Sequence, residues 1–219
     1  QEICAEADVA IISVDYRLAP EHRFPTPIDD SYAALLWVRE HADELNVDSD
    51  RLAVGGDSAG GNIAAVITHQ ARDLKGPPIR FQVLIYPAVG LSGESASIDR
   101  FANGYFFGKT ELAWTYAQYV SDAAQYADPR VQPILSKNFA DLPPALIIVP
   151  EFDILRDDGE LYGRLLSKAG VPVEQKRYAG TIHGFVNMGG AIPAGRAAIS
   201  HIANRLQRAL APVSATARR

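Results

Sequence analysis

Val54-Gly-Gly-Asp-Ser58-Ala-Gly-Gly-Asn62 is the stretch of sequence that most narrows the fold. The apolar run before it, residues 51–54, is typical of a strand, and the Ala- and Ile-rich run after it, residues 62–70, is typical of a helix. Between them, Gly56-x-Ser58-x-Gly60 matches the nucleophile elbow, a turn that lifts a serine hydroxyl clear of a sheet. The alternative is a glycine-rich turn that happens to hold a serine. The flanking strand and helix favour the elbow.

The elbow interpretation assigns roles to the residues around Ser58. Gly56 and Gly60 are expected to let the strand and the helix pass close together, because glycine has no Cβ. The backbone N–H of Ala59, at the start of the helix, is expected to point where an oxyanion would form on a substrate. We therefore take Ser58 as the candidate nucleophile and Ala59 and Gly60 as candidate oxyanion- and substrate-binding residues.

Composition limits the class of protein. The 219 residues suffice for a single α/β domain, predicted to span 1–219. A net charge of −5 argues against a nucleic-acid or anionic-membrane partner, and no apolar run approaches the roughly 20 residues of a membrane span. One cysteine, Cys4, excludes an internal disulfide, and no signal peptide is visible, which together favour a cytoplasmic location. No metal-ligand spacing and no P-loop lysine occur, so neither a metal nor a cofactor is predicted.

Five apolar segments predict the strands of a mostly parallel, doubly wound sheet, because helical segments alternate with them. They are residues 9–14, 52–55, 81–86, 145–149 and 173–178. From about 88 to 144 this alternation lapses into an aromatic-rich insertion, with one helix expected from Thr110 to Ser121 and Thr110 as its N-cap. We interpret the insertion as part of a pocket wall; ordinary packing of a peripheral helix is the alternative.

Three polar residues each lie just past a predicted strand: Ser58, Asp153 and His183. In doubly wound folds ligands bind beyond the carboxyl ends of the strands, so these side chains are expected to meet at one edge of the sheet. A serine needs a base to take its proton, histidine titrates near neutral pH, and a carboxylate can fix the tautomer of the imidazole. The chain order Ser, Asp, His is that of the α/β-hydrolases.

Other residues compete for these roles and have simpler explanations. The remaining histidines are expected to be solvated on helices, or, in the proline-rich loop, to fix that loop; they are His41, His69, His201 and, in the loop, His22. Asp157 and Asp158 fall in the first turn of a predicted helix, where the helix dipole favours acidic side chains. Asp57 is expected to face away from the nucleophile and to bond neighbouring backbone.

Several motifs in their order and spacing resemble the hormone-sensitive-lipase-like carboxylesterases of bacteria. By that resemblance Ser58 is the nucleophile, Asp153 the orienting acid and His183 the base, short acyl esters are the substrates, and the edge strand 173–178 forms a homodimer. The motifs are Asp15-Tyr-Arg-Leu-Ala-Pro-Glu-His22, Phe24-Pro25, Gly56-Asp-Ser-Ala-Gly-Gly-Asn62, Asp153-x-Leu-Arg-Asp-x-Gly159 and His183-Gly-Phe185.

The sequence departs from that family at its start. The family carries a His-Gly-Gly-Gly loop that supplies oxyanion donors, and no such motif precedes Val9. Early strands and N-terminal cap helices are missing too, which predicts an N-terminally shortened α/β-hydrolase fold. The alternative to an active esterase is therefore a catalytically weak or inactive fragment, or a ligand-binding or interaction protein on the same fold. An associated chain or segment could also supply the loop.

Overall fold

The computed structural model describes residues 1–90 and 95–212, and its centre is a parallel β-sheet. The described residues form four strands: β1 (Leu52–Asp57), β2 (Ile79–Ile85), β3 (Ala145–Phe152) and β4 (Val173–Ile182). Their order across the sheet is β1-β2-β3-β4, and each neighbouring pair is parallel. The predicted α/β class and parallel sheet are confirmed.

Helices lie between these strands as the sequence predicts. The helices are α1 (Glu2–Ala7), α2 (Thr26–Glu40), α3 (Ala59–Asp73), α4 (Ala96–Arg100), α5 (Lys109–Tyr119), α6 (Arg156–Lys168) and α7 (Pro193–Ala209), with short 3₁₀ turns at Ala123–Ala127, Pro133–Leu135 and Phe185–Met188. Among the described residues, no helix combines the length and the hydropathy that crossing a bilayer requires.

Helix layers cover both faces of the sheet, which explains why its central strands are apolar throughout. On one face, side chains such as Leu84 and Ile147 pack against Tyr162 and Leu166 of α6 and against α3. On the other face, alternate residues such as Leu146 and Ile148 pack against α7. Successive side chains of a strand point to opposite faces, so each strand serves both layers.

The segment 9–14, predicted as the first strand, is not a strand. It runs without regular secondary structure, and the side chains of Ile11 and Ile12 are 51% and 45% exposed. Within the described part of the chain, residues 10–16 make no backbone hydrogen bond. A β-branched run forms a strand only where a neighbouring strand pairs with it, and here the sheet ends at β1, across a groove from this segment.

The aromatic-rich insertion holds α4, α5 and two 3₁₀ turns, while its residues 91–94 lie outside the described residues. Its main helix begins at Lys109 with Gly108 as the N-cap, so the prediction of Thr110 as N-cap is wrong. The reason is that the Glu111 carboxylate accepts a 3.1 Å hydrogen bond from the N–H of Gly108. This side-chain contact caps the helix at Gly108. Phe101 and Tyr116 are buried against the α2–α3 side of the core.

His69 is packed inside the protein, which corrects the expectation that it is solvated. It lies on α3, where its Nε2 is 3.0 Å from the hydroxyl of Tyr162 and its ring meets Phe139 edge to face. Burial, and secondarily the positive charge of Arg72, lower the pKa of His69 from 6.5 to about 4. The side chain is therefore neutral in the folded protein at neutral pH.

Acidification is expected to destabilise the fold through His69. Between pH 6.5 and about 4 the unfolded chain binds a proton at this residue and the folded chain does not, so the free energy of unfolding falls as pH decreases through that window. The slope is about 1.4 kcal/mol per pH unit at most. Urea unfolding across this range should show a flatter pH dependence for His69→Gln, which cannot titrate. The same slope in both proteins would contradict the assignment.

Candidate active site

Ser58 lies at a sharp corner between the end of β1 and the start of α3. Its backbone has φ 54° and ψ −115°, a conformation that residues with a side chain rarely adopt. The corner is held in place because the Ser58 N–H donates a 2.9 Å hydrogen bond to the carbonyl of Ile85 on β2. Such strain persists only where the surroundings fix it, and it is concentrated at functional sites.

Gly56 and Gly61 are the glycines that let strand and helix approach each other. A Cβ on Gly56 would overlap the backbone of Gly60, and one on Gly61 would lie 2.9 Å from the Cβ of Pro87. A Cβ on Gly60, in contrast, would meet no atom within 4 Å. The expectation for Gly56 therefore agrees with the structure, whereas Gly60 is needed as the backbone that Gly56 approaches and not for its own missing Cβ.

Ser58, His183 and Asp153 are joined by two hydrogen bonds. The Ser58 Oγ lies 3.0 Å from His183 Nε2, and His183 Nδ1 lies 2.7 Å from Asp153 Oδ2. A carboxylate can only accept, so it assigns the imidazole proton to Nδ1 and leaves the Nε2 lone pair facing the serine hydroxyl. The arrangement is suited to moving a proton from Ser58 to His183.

The parallel sheet brings these three residues together from distant parts of the chain. Asp153 directly follows β3 and His183 directly follows β4, at the same edge of the sheet as Ser58. Asp153 is fully buried, and its second oxygen accepts a 2.9 Å hydrogen bond from the N–H of Leu155, which fixes the orientation of the carboxylate. The competing Asp157 lies in the first turn of α6 and pairs with Arg156.

Two aromatic rings pack against the His183 imidazole. Phe107 stacks on it, with ring centroids 4.7 Å apart and planes at 27°, and Tyr86 lies at the same centroid distance, tilted by 53°. Phe107 comes from the insertion that the sequence predicts as a pocket wall. Neither ring could be assigned to His183 from the sequence, because only the tertiary structure brings positions 86, 107 and 183 together.

Asp57 is bonded by side chains and not by neighbouring backbone, which corrects its predicted role. Its Oδ2 accepts hydrogen bonds from Asn187 Nδ2 at 3.1 Å and from the Tyr86 hydroxyl at 3.4 Å. Burial, and secondarily the charge of Asp57, raise the pKa of Tyr86 far above its ordinary value. The phenol therefore stays protonated and donates to Asp57, which anchors the ring that packs on His183.

Metal-ligating side chains do not gather at this site. Within residues 1–90 and 95–212, no three His, Cys, Asp or Glu side chains are grouped so as to hold a metal ion. The polar side chains that are hydrogen-bonded in line at the site are Ser58, His183 and Asp153.

Residues 1–187 match the model of a protein family with the alpha/beta hydrolase fold. The chain belongs to this family. This alpha/beta hydrolase is 43% identical over 191 residues to the carboxylic ester hydrolase LipN of Mycobacterium tuberculosis, and 38% identical over 211 residues to an ethyl acetate hydrolase of Pseudomonas putida. The matches cover 84% and 95% of this chain. The resemblance to hormone-sensitive-lipase-like esterases is thereby confirmed.

Solved structures agree with this placement. The hyperthermophilic esterase of the archaeon Pyrobaculum calidifontis superimposes with a TM-score of 0.90 at 42% identity, over 96% of this chain and 68% of that one. The hydrolase spans 51% of the length of LipN and 66% of the ethyl acetate hydrolase. It therefore covers about half to two thirds of these curated relatives.

Alanine substitutions at Gly56 and Gly60 should show which of the two glycines is needed for its missing Cβ. Gly56→Ala places a methyl group in the backbone of Gly60 and is expected to lower the free energy of unfolding by about 1–3 kcal/mol or more. Gly60→Ala is the matched control, since its methyl group meets open space. Thermal unfolding of both variants measures the difference. Equal losses of stability would contradict the close contact at Gly56.

Proposed function

We propose that this alpha/beta hydrolase is a serine carboxylesterase that hydrolyses short acyl esters through an acyl-enzyme. The observation that carries the proposal is the continuous line of hydrogen bonds from Ser58 through His183 to Asp153. The names of its relatives support ester hydrolysis, and the relative named for ethyl acetate supports a short acyl group. The substrate is then a small-molecule ester.

The proposed reaction has two steps, acylation of Ser58 and hydrolysis of the acyl-enzyme, and His183 carries the proton in both. Ser58 Oγ attacks the acyl carbon while its proton passes to His183 Nε2. The tetrahedral intermediate expels the alcohol, which takes that proton, and leaves an acyl group on Ser58. A water molecule then attacks the acyl carbon, its proton goes to His183, and the acid departs as Ser58 regains its proton. Asp153 keeps the imidazole in the required tautomer and stabilises the imidazolium.

Backbone N–H groups at the start of α3 are the proposed oxyanion donors. Ala59 is the first residue of the helix, so its N–H and that of Gly60 have no intrahelical acceptor. Their partial positive charge lies next to Ser58, where a carbonyl oxygen becomes negative during attack. One such donor is worth about 10²–10³ in rate.

An open space beside the nucleophile favours the second candidate, a weak hydrolase or a ligand-binding protein. A groove of about 1080 Å³ reaches Gly56, Asp57 and Gly60, so that flank of Ser58 is not closed by packed protein. Fewer fixed donors there would slow acyl transfer without preventing ester binding. The hydrogen-bonded Ser58–His183–Asp153 line is the reason why hydrolysis remains the first candidate.

Hydrolysis of p-nitrophenyl acetate, butyrate and octanoate tests the proposal. We expect Ser58→Ala and His183→Gln to abolish turnover, and Asp153→Asn to reduce it by about 10⁴, because the wrong tautomer would face Ser58. His41→Gln is the control, since this histidine is the C-cap residue of α2 and its Nδ1 lies 3.0 Å from the carbonyl of Trp37. Turnover should fall from acetate to octanoate. If the folded protein were no more active than the Ser58→Ala variant, the esterase proposal would be wrong and the ligand-binding candidate would replace it.

Phe107 is expected to position the base. Phe107→Leu removes the ring stacked on His183 and should lower kcat about tenfold with little change in KM, because a misplaced base slows proton transfer more than binding. Phe107→Tyr should keep most of the activity. Phe106→Leu is the neighbouring control, since its side chain is 71% exposed. The idea is wrong if the changes at 106 and 107 have equal effects.

Homodimer formation through β4 stays a prediction. β4 is the last strand of the sheet, so its outer edge is available for pairing, although its exposed residues include Lys176 and Arg177, and charged side chains on an edge oppose strand pairing. Sedimentation of the protein over a range of concentrations measures the oligomeric state directly. A cytoplasmic location likewise stays a prediction.

A further inference from the structure

Three side chains beside the candidate active site form a second hydrogen-bonded group, which we call the Asp57 network: Asp57, Tyr86 and Asn187. Asp57 ends β1, Tyr86 directly follows β2, and Asn187 lies in the 3₁₀ turn that follows His183. The Asp57 Oδ2 accepts hydrogen bonds from Asn187 Nδ2 at 3.1 Å and from the Tyr86 hydroxyl at 3.4 Å. Asn187 Nδ2 also lies 3.5 Å from the Tyr86 hydroxyl oxygen. The network therefore links the ends of two strands to the segment that carries His183.

The backbone of Tyr86 is held in a conformation that residues with a side chain rarely adopt. Its φ is 35°, and positive values favour glycine. The N–H of Tyr86 donates to the carbonyl of Ile148, and the chain on either side of it, at Ile85 and Ala88, is hydrogen-bonded to the backbone of Ser58. The tyrosine is 1% exposed. Because such strain persists only where the surroundings fix it, and is concentrated at functional sites, this position is a candidate for a role in the site.

Asn187 ties the segment that carries His183 to the residue beside the candidate nucleophile. After His183 the chain turns at Gly184, where φ is 82°, and the N–H of Asn187 donates to the Gly184 carbonyl at 3.0 Å. The Asn187 amide then reaches Asp57, which directly precedes Ser58. The hydrogen bond between Asn187 and Asp57 therefore restrains the position of His183 relative to Ser58, and it does so without using the direct bond between those two residues.

Tyr86 connects the negative charge of the network to His183. Its ring centroid is 4.7 Å from that of the imidazole, within the distance of about 6 Å at which an aromatic ring attracts a cation. Burial and the Asp57 charge raise the pKa of the Tyr86 phenol, so the hydroxyl stays protonated and donates to that carboxylate. The other titratable groups that face the imidazole are Asp153 at Nδ1 and Ser58 at Nε2. Asp57 therefore supplies a negative charge in addition to that of Asp153.

We propose that the Asp57 network positions His183 and stabilises its protonated form. Tyr86 and Asn187 are the positioning residues, and Asp57 supplies the charge. The inference rests on the proposed function, in which the imidazole takes the Ser58 proton and becomes a cation during attack. A nearby negative charge lowers the energy of that cation but not of the bound ester, so the network should raise kcat and leave KM nearly unchanged.

An NMR titration of the His183 imidazole tests the charge without requiring turnover. Asp57→Asn removes the charge and Tyr86→Phe removes the hydroxyl that bonds it, while both keep the shape of the side chain. Each variant should move the midpoint of the His183 titration to lower pH by about 0.5 pH unit, because the imidazolium loses a stabilising charge that water partly screens. Tyr178→Phe is the matched control, since this tyrosine packs in the same hydrophobic cluster and its hydroxyl lies 3.3 Å from His201. It should leave the midpoint unchanged.

An exchange of the side chains at 57 and 187 tests the hydrogen bond between them. Asn187→Asp alone places two carboxylates together and should lower kcat on p-nitrophenyl acetate by about tenfold, with little change in KM. Combining it with Asp57→Asn restores a carboxylate–amide pair with the partners exchanged, so most of the lost kcat should return. The titration midpoint should return as well, because the side-chain position at 187 lies 3.5 Å from the Tyr86 hydroxyl.

Two results would overturn the proposal. One is a His183 midpoint that Asp57→Asn and Tyr86→Phe move no further than Tyr178→Phe does, or move to higher pH. The other is a double variant whose midpoint stays as low as that of Asp57→Asn alone. A protein that shows the expected midpoints but hydrolyses no ester would support the electrostatic role of the network and contradict the proposed function, so the two can fail separately.

Discussion

The structure depends on the tight contact between Gly56 and Gly60 at the corner between β1 and α3. Because no side chain separates these two backbones, the chain reverses within a few residues and Ser58 is held at a positive φ. The first N–H groups of α3 then lie beside the serine hydroxyl. The position of Ser58, the candidate nucleophile, and its electrostatic surroundings are therefore consequences of one backbone contact, which explains why small residues dominate this stretch.

Parallel pairing places the carboxyl ends of the strands at one edge of the sheet. β3 and β4 end at the edge where β1 ends, so the residues that follow them, Asp153 and His183, meet Ser58 without any long-range loop. Burial of the carboxylate and the packing of Phe107 and Tyr86 against the imidazole then restrict the orientation of His183. The positioning of His183 is thus shared between the sheet and the aromatic insertion.

The β1 edge contrasts with the well-packed corner at Ser58. Both helix layers extend past β1, yet within residues 1–90 and 95–212 no strand pairs with the outer side of β1 or with segment 9–14. The same apolar residues that would stabilise a buried strand are left partly exposed. The candidate site lies at the boundary between these two regions, with the hydrogen-bonded Ser58, His183 and Asp153 on one side and an open groove on the other.

The sequence by itself determined the elements whose signals are local: β1, the corner at Ser58, the alternation of helices and strands, and the candidate residues that follow strand ends. It could not determine whether segment 9–14 forms a strand, because an apolar run becomes a strand only when a partner strand pairs with it. It likewise could not reveal the rings on His183 or the burial of His69, since both depend on elements far apart in the chain. Local patterns record backbone preference, whereas pairing and packing are decided by tertiary structure alone.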